Sequence, residues 1–314
     1  MKAFITGIAG FAGTHLTEHL LAAGDEVSGA SLSGKWPPGP EIPADVRDRV
    51  SLIAWDIAAD TLPLDALTRF APDAIYHLAA ISKAADCGQH EPTQVAIDTN
   101  VGGTEQVLKL AQALPSQPKV VFISSSYVYG PTNDLKPIAE SSLVAPSGGY
   151  GRTKQMAEER VQAFVQQGGN AVIARSFQHA GPRQLPRFML AEWCEQFANS
   201  TSSPIVIQNR GSYIDLTDVR DVVRAYRLLA LQGTAGEAYN VGSGVALRSG
   251  EIFDTLRQLV DPNRASDAKA DVTKYSAIAD IAKIERDLGW QPEISLEQTL
   301  RDTYDWFREQ ATAS

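Results

Sequence analysis

Read from its start, the chain alternates short apolar runs with stretches in which apolar residues recur every three or four positions. This is the pattern of strands joined by crossover helices in a parallel sheet. Lys2–Thr6 predicts a first strand, Leu16, Leu20 and Leu21 share one face of a predicted helix over 11–23, and Glu26–Ala30 reads as a second strand. Further strands are expected at 50–53, 74–78, 119–124 and 171–175, with helices over 64–70, 93–113 and 150–167. The Gly- and Pro-rich run 33–43 predicts a surface loop. Beyond Gly181 the rhythm is less regular, with helices expected over 187–198 and 219–231 and a short strand over 205–208. The fold class is therefore α/β, a Rossmann-type doubly wound parallel sheet, with the later part packed on it as a cap over a cleft.

Composition narrows the function classes. The 314 residues are 44% hydrophobic, enough for a substantial core without staples. Lys plus Arg total 28 against 37 acids, a formal charge of −9, which would repel nucleic acid, and no basic patch offsets it. Cys87 and Cys194 lack metal-site or disulfide-framework spacing and read as packed thiols in a reducing cytoplasm. No metal site, secretory signal or membrane span is expected.

Between the first strand and first helix lies Thr6-Gly7-Ile8-Ala9-Gly10-Phe11-Ala12-Gly13. In a dinucleotide site Gly7 would make the tight turn, Gly10 admit the pyrophosphate, and Gly13 let helix and strand pack closely. The helix N-terminus would then face the anion. After the second strand, where an acid selects NAD, the chain has Ala30-Ser31-Leu32-Ser33 and no base before Lys35. The missing carboxylate favours NADP, with NAD as the alternative. Asp56, followed by Ile57, would either meet the adenine amine or serve as a turn aspartate.

Tyr150 and Lys154 lie four residues apart on a predicted helix, so both side chains leave one face. Tyrosine ordinarily titrates near ~10, and a neighbouring ammonium would bring it toward the working range as a proton shuttle. The apolar strand Val120-Val121-Phe122-Ile123 ends in Ser124-Ser125-Ser126, at the strand ends where open parallel sheets bind ligands. A serine there can hydrogen-bond a substrate oxygen and hold it near the tyrosine.

Together with His77-Leu78-Ala79-Ala80, Asn100 in DTNVGGTEQVL, Arg175-Ser176-Phe177-Gln178-His179, DLTDVRDVVRAY, AYNVGSG and Leu288-Gly289-Trp290, these motifs cover nearly the whole chain. It resembles the extended short-chain dehydrogenase/reductase family, the NAD-dependent epimerases and dehydratases of nucleotide sugars. Several segments are similar to those of GDP-4-keto-6-deoxy-mannose reductases and GDP-mannose 4,6-dehydratases. The resemblance implies Tyr150 as acid/base, Lys154 as partner of ribose and phenolate, and Ser125 as the hydroxyl orienting the substrate, with Ser126 as its backup. For the cofactor it implies Gly7, Gly10, Phe11, Ala12, Gly13, Asp56, Ile57, Leu78, Ala79, Ala80, Asn100, Phe177 and His179. It also implies a mainly NAD(P)-binding domain over 1–175, a mainly substrate-binding lobe over 176–314 with about 210–245 returning to the first domain, and a homodimer.

The departures are equally informative. Dehydratases place an acid two residues before the tyrosine of VYG, where this chain has Tyr127, so dehydration is disfavoured. Ile214 precedes Asp215 where relatives carry a diphosphate-binding arginine, and a second arginine expected before LGW is replaced by the neighbourhood of Lys269 and Lys274. Arg183, Arg187 and Arg210 are candidate substitutes, with Gln178 standing where asparagine is usual. The expected activity is reduction of a keto-sugar, nucleotide-linked and of the 4-keto-6-deoxy type, by NADPH. An epimerase with retained NAD is the alternative. A non-catalytic nucleotide sensor would have no need to keep Ser125, Tyr150 and Lys154 together.

Overall fold

A computed structural model describes residues 1–39, 42–199 and 203–313; Pro40 and Glu41 of the expected loop lie outside the described residues. Seven parallel strands form one sheet, in the spatial order Ser51–Ala54, Glu26–Ser31, Lys2–Thr6, Ala74–His77, Lys119–Ser125, Ala171–Ser176 and Ala238–Val241. The first strand pairs on one side with the second and on the other with the fourth, so the chain reverses its direction of travel across the sheet there. That reversal opens a crevice beyond the carboxyl ends of the strands, where ligands of this fold bind.

The sheet is apolar on both faces because both are covered. Alternate strand residues serve opposite sides. Tyr76, Val121 and Val172 join a core with Leu16 and Leu20 of helix Phe11–Ala22 and with Val222, Tyr226 and Leu229 of helix Val219–Gln232. Val120, Phe122 and Ile173 join a second core with Val107 of helix Gly103–Ala113 and with Ala157 and Val161 of helix Gly149–Gln166.

The helix expected over 93–113 is interrupted. It runs as Gln94–Ile97, a wide turn over Asp98–Gly102, and Gly103–Ala113. Two adjacent glycines weaken the regular ladder. Gly103 packs against Ile57, and the Thr104 hydroxyl donates to the Asn100 carbonyl at 2.7 Å. Wide turns of this kind are frequent at functional sites, and Asn100 lies in this one.

Past residue 176, helix Val219–Gln232 and strand Ala238–Val241 return to the large sheet, and other segments gather around a separate apolar cluster. Helices Met189–Ala198, Ser249–Val260 and Leu296–Ala313 pack around Trp193, Phe253 and Leu300. Strand Ser212–Asp218 pairs with Gln178–Ala180, Ala246–Arg248 and Lys274–Tyr275. Among the described residues no helix is long and apolar enough to cross a membrane.

Candidate active site

The glycine turn has the shape a pyrophosphate requires. Gly7 takes a φ of 71°, and a Cβ there would lie 2.7 Å from the Ala79 nitrogen. A Cβ at Gly13 would lie 2.3 Å from the Gly7 oxygen. Gly10 begins helix Phe11–Ala22, no side chain caps that end, and its first turn carries no acid. The amides of the first turn and the positive helix end thus remain available to an anion. This glycine cradle, which side chains would fill, fits a dinucleotide.

Leu78, Ala79 and Ala80 follow the strand Ala74–His77 and lie against this turn: the Leu78 amide donates to the Thr6 carbonyl at 3.2 Å, the Ala79 amide to the Thr6 hydroxyl at 3.3 Å. The buried His77 lies between two threonines, with Nδ1 2.8 Å from Thr6 Oγ1 and Nε2 3.1 Å from Thr104 Oγ1. The Thr104 proton goes to Asn100, so Nε2 carries the ring proton and Nδ1 accepts from Thr6. Burial, reinforced by the Lys154 charge, pushes His77 down to about 3 and keeps it neutral. Asn100 accepts from the Ile81 amide at 2.7 Å and donates to the Ile81 carbonyl and the Thr153 hydroxyl. Its polar atoms tie the loop after His77 to the helix that carries Tyr150.

That helix begins at Gly149, and Gly151 lets it press on the turn Ser126–Tyr129: a Cβ at 151 would lie 2.5 Å from the Tyr127 oxygen. The close approach sets Tyr150 near Ser125. Burial raises Tyr150 well above the ordinary tyrosine value; the Ser125 hydroxyl opposes this without overcoming it. The lowering expected from Lys154 is therefore not what this arrangement produces. The Lys154 ammonium donates to the Ile123 carbonyl at 2.7 Å, 5.1 Å from the centre of the Phe122 ring and 6.0 Å from that of Tyr150. Its burial pushes it down to about 8, against the opposing charge of Glu158. Tyr127 stands edge-on to Tyr150 at 5.6 Å, with about half its surface exposed. Ser126 is buried in the same turn.

The remaining candidates divide. His179 stacks flat on Phe11 of the glycine turn at 5.9 Å, joining lobe and turn, and burial lowers it below the usual histidine range. Gln178 begins the strand beside it. Asp56 accepts from the Ala58 amide at 2.9 Å as a turn aspartate. The side chains of Ile57 and Phe177 are buried in apolar clusters, leaving their backbone as the part able to meet a cofactor. Arg183 pairs with Glu18 and His15, and Arg210 pairs with Asp254 while lying over Phe253. Both serve the packing between elements. Arg187 is exposed, over the Phe188 ring, and no ion pair holds it among the described residues. Ile214 is buried in the lobe core, so position 214 offers nothing to a phosphate. Lys269 pairs with Asp267.

Sequence reasoning missed a buried polar network behind the site. Glu158 accepts from Arg175 through both oxygens, at 3.0 and 2.7 Å, and from the Ser124 hydroxyl. Arg175 also reaches the Tyr129 hydroxyl at 3.1 Å, and Tyr129 donates to Asn240 at 2.6 Å. The spacing Lys154 to Glu158, one helical turn, was the available signal. Cys87, too, is buried next to the site, its thiol donating to the Ile81 carbonyl at 3.3 Å.

The chain is similar to several known proteins. GDP-6-deoxy-D-mannose reductase of Pseudomonas aeruginosa is 29% identical over 97% of this chain and 97% of its own. A dTDP-glucose 4,6-dehydratase of Neisseria gonorrhoeae is 29% identical over 98% and 96%. Among solved structures, the UDP-glucuronic acid 4-epimerase of Bacillus cereus, in complex with UDP-glucuronic acid and NAD, superposes with a TM-score of 0.84 at 26% identity over 99% and 100%. The model of the NAD dependent epimerase/dehydratase family matches residues 3–242. The chain belongs to this family of extended short-chain dehydrogenases/reductases and is an NAD(P)-dependent enzyme.

Proposed function

We propose that the protein reduces a keto-sugar, a nucleotide-linked 4-keto-6-deoxy sugar, with Tyr150 as proton donor and NADP as its cofactor. The observation that carries this reading is the gathering of Ser125, Tyr150 and Lys154 at one place, the Lys154 ammonium lying 6.0 Å from the Tyr150 ring and the phenol being protonated at neutral pH. A protonated phenol is prepared to give a proton to a carbonyl oxygen. Ser125 would hold that oxygen, and the Lys154 ammonium would stabilise the phenolate left on Tyr150. The nicotinamide dinucleotide, held at the glycine turn, would supply hydride chemistry at the carbonyl carbon. Gly7, Gly10 and Gly13 would hold its pyrophosphate, and Ala30–Ser33 offers no acid to repel a 2′-phosphate.

The same proposal takes 1–175 as mainly the cofactor domain and 176–314 as mainly the substrate lobe, with about 210–245 serving the former. It includes a cytoplasmic homodimer without nucleic-acid or membrane partners. Arg187 is the arginine left to meet a diphosphate. Similarity to the UDP-glucuronic acid 4-epimerase supports a second reading, epimerisation with retained NAD.

The test is direct. Purified enzyme, free of tightly held nicotinamide, should consume added NADPH with GDP-4-keto-6-deoxy-mannose. Nicotinamide released only on denaturation, with no NADPH consumed, would replace reduction by epimerisation. The pH profile supplies a further prediction. A buried lysine with its affinity for protons lowered is charged below about 8 and neutral above it. Because the charged form is the useful one, kcat/KM should fall as pH rises through that value. An alkaline limb near the ordinary lysine value of ~10.4 would contradict this role.

A further inference from the structure

The Lys154 ammonium lies in costly surroundings. It is 4% exposed, against the Phe122 ring, with the Ile123 carbonyl as its hydrogen-bond acceptor. The titratable groups facing it are Tyr150 and Glu158 on its own helix, Cys87 on the turn Ala84–Cys87, and His77 on the neighbouring strand. His77 is neutral, and burial raises both the Cys87 thiol and the Tyr150 phenol, so neither is an anion at neutral pH. Of these groups, Glu158 is the one able to supply a negative charge.

Glu158 is held as a built element rather than a loose surface acid. It is 6% exposed and one turn beyond Lys154. Its oxygens take the two Arg175 bonds and the Ser124 bond, and Ser124 directly precedes Ser125 on the strand Lys119–Ser125. Arg175 is itself fixed by Tyr129 and by the Glu140 carbonyl at 3.1 Å. One carboxylate thereby joins the helix bearing Tyr150 and Lys154, the strand bearing Ser125, and the turn bearing Tyr129.

We propose that Glu158, balanced by Arg175 and tethered through Ser124 to the strand that carries Ser125, is the positioning residue that supplies the counter-charge to the Lys154 ammonium. The inference rests on the role given to Lys154 above, but its test needs no substrate. A carboxylate one turn away lowers the cost of the buried ammonium; replacing it with a neutral amide keeps the shape and removes the charge.

The experiment is an NMR titration of isotopically labelled lysines in the full-length chain, with and without NADPH, the Lys154 signal being assigned by its loss in Lys154→Met. In Glu158→Gln the proton affinity of Lys154 should fall about tenfold or more. A folded Glu158→Gln protein whose Lys154 titrates as in the parent would overturn the proposal. Should the lone Arg175 charge prevent folding, the double variant Glu158→Gln/Arg175→Met is compared with Arg175→Met: Lys154 should hold its proton less tightly in the double variant, and equal titration in the two would overturn the proposal. Failure of the keto-sugar assay would sink the proposed reaction while leaving this titration to be judged separately.

Discussion

Replacing Tyr150 with Phe should lower turnover of NADPH and keto-sugar by about 10²- to 10⁴-fold, the usual contribution of a positioned general acid. The substitution removes one oxygen. Affinity for NADPH should stay within a few-fold of the parent, because the glycine turn, the uncapped helix end and Lys154 are untouched. Stability should change little: Ser125 keeps its bond from the Tyr127 amide at 3.3 Å. Steady-state kinetics beside a cofactor titration measures both quantities. Undiminished turnover would remove Tyr150 from the mechanism, whereas equal losses in turnover and cofactor binding would mean that the phenol positions the nicotinamide instead of donating a proton.

Arg175→Met should have the largest effect on stability, about 3–5 kcal/mol, the cost of leaving a buried charge without its partner. Glu158 would keep the Ser124 hydroxyl and the Lys154 charge but lose both guanidinium bonds, and Tyr129 and the Glu140 carbonyl would each lose a donor. Urea unfolding of the variant quantifies this. The double variant with Glu158→Gln should be less destabilised than the sum of the two single changes, since removing both ions avoids the uncompensated charge. Strict additivity would mean that the pair contributes no more than its separate contacts.

The two predictions concern residues of different legibility. Tyr150 was found because a helical spacing, a serine run ending an apolar strand and a glycine turn are each written within a few consecutive residues. Arg175 was read as the end of a strand and as part of a motif, with no partner assigned. Its partner lies on another element, and nothing in the strand's own alternation points to it. Arg183 and Arg210 show the converse. Both were reasonable phosphate ligands as isolated cations, and both are occupied by acids that folding brings to them, Glu18 and Asp254.

The chain by itself determined the parallel sheet, the glycine turn, the Tyr150–Lys154 spacing and the serines that face them. These follow from local periodicity and from backbone shapes that few residues permit, so neighbouring positions suffice to specify them. Tertiary structure alone decided that Tyr150 is raised above its ordinary value rather than lowered, that His77 is neutral with its proton on Nε2, that Asn100 is spent on Ile81 and Thr153, and that Glu158 and Arg175 form one buried pair. Each of these depends on how much water is excluded and on which distant group fills the space. Desolvation and charge pairing are properties of the packed neighbourhood, which segments far apart in the sequence assemble together.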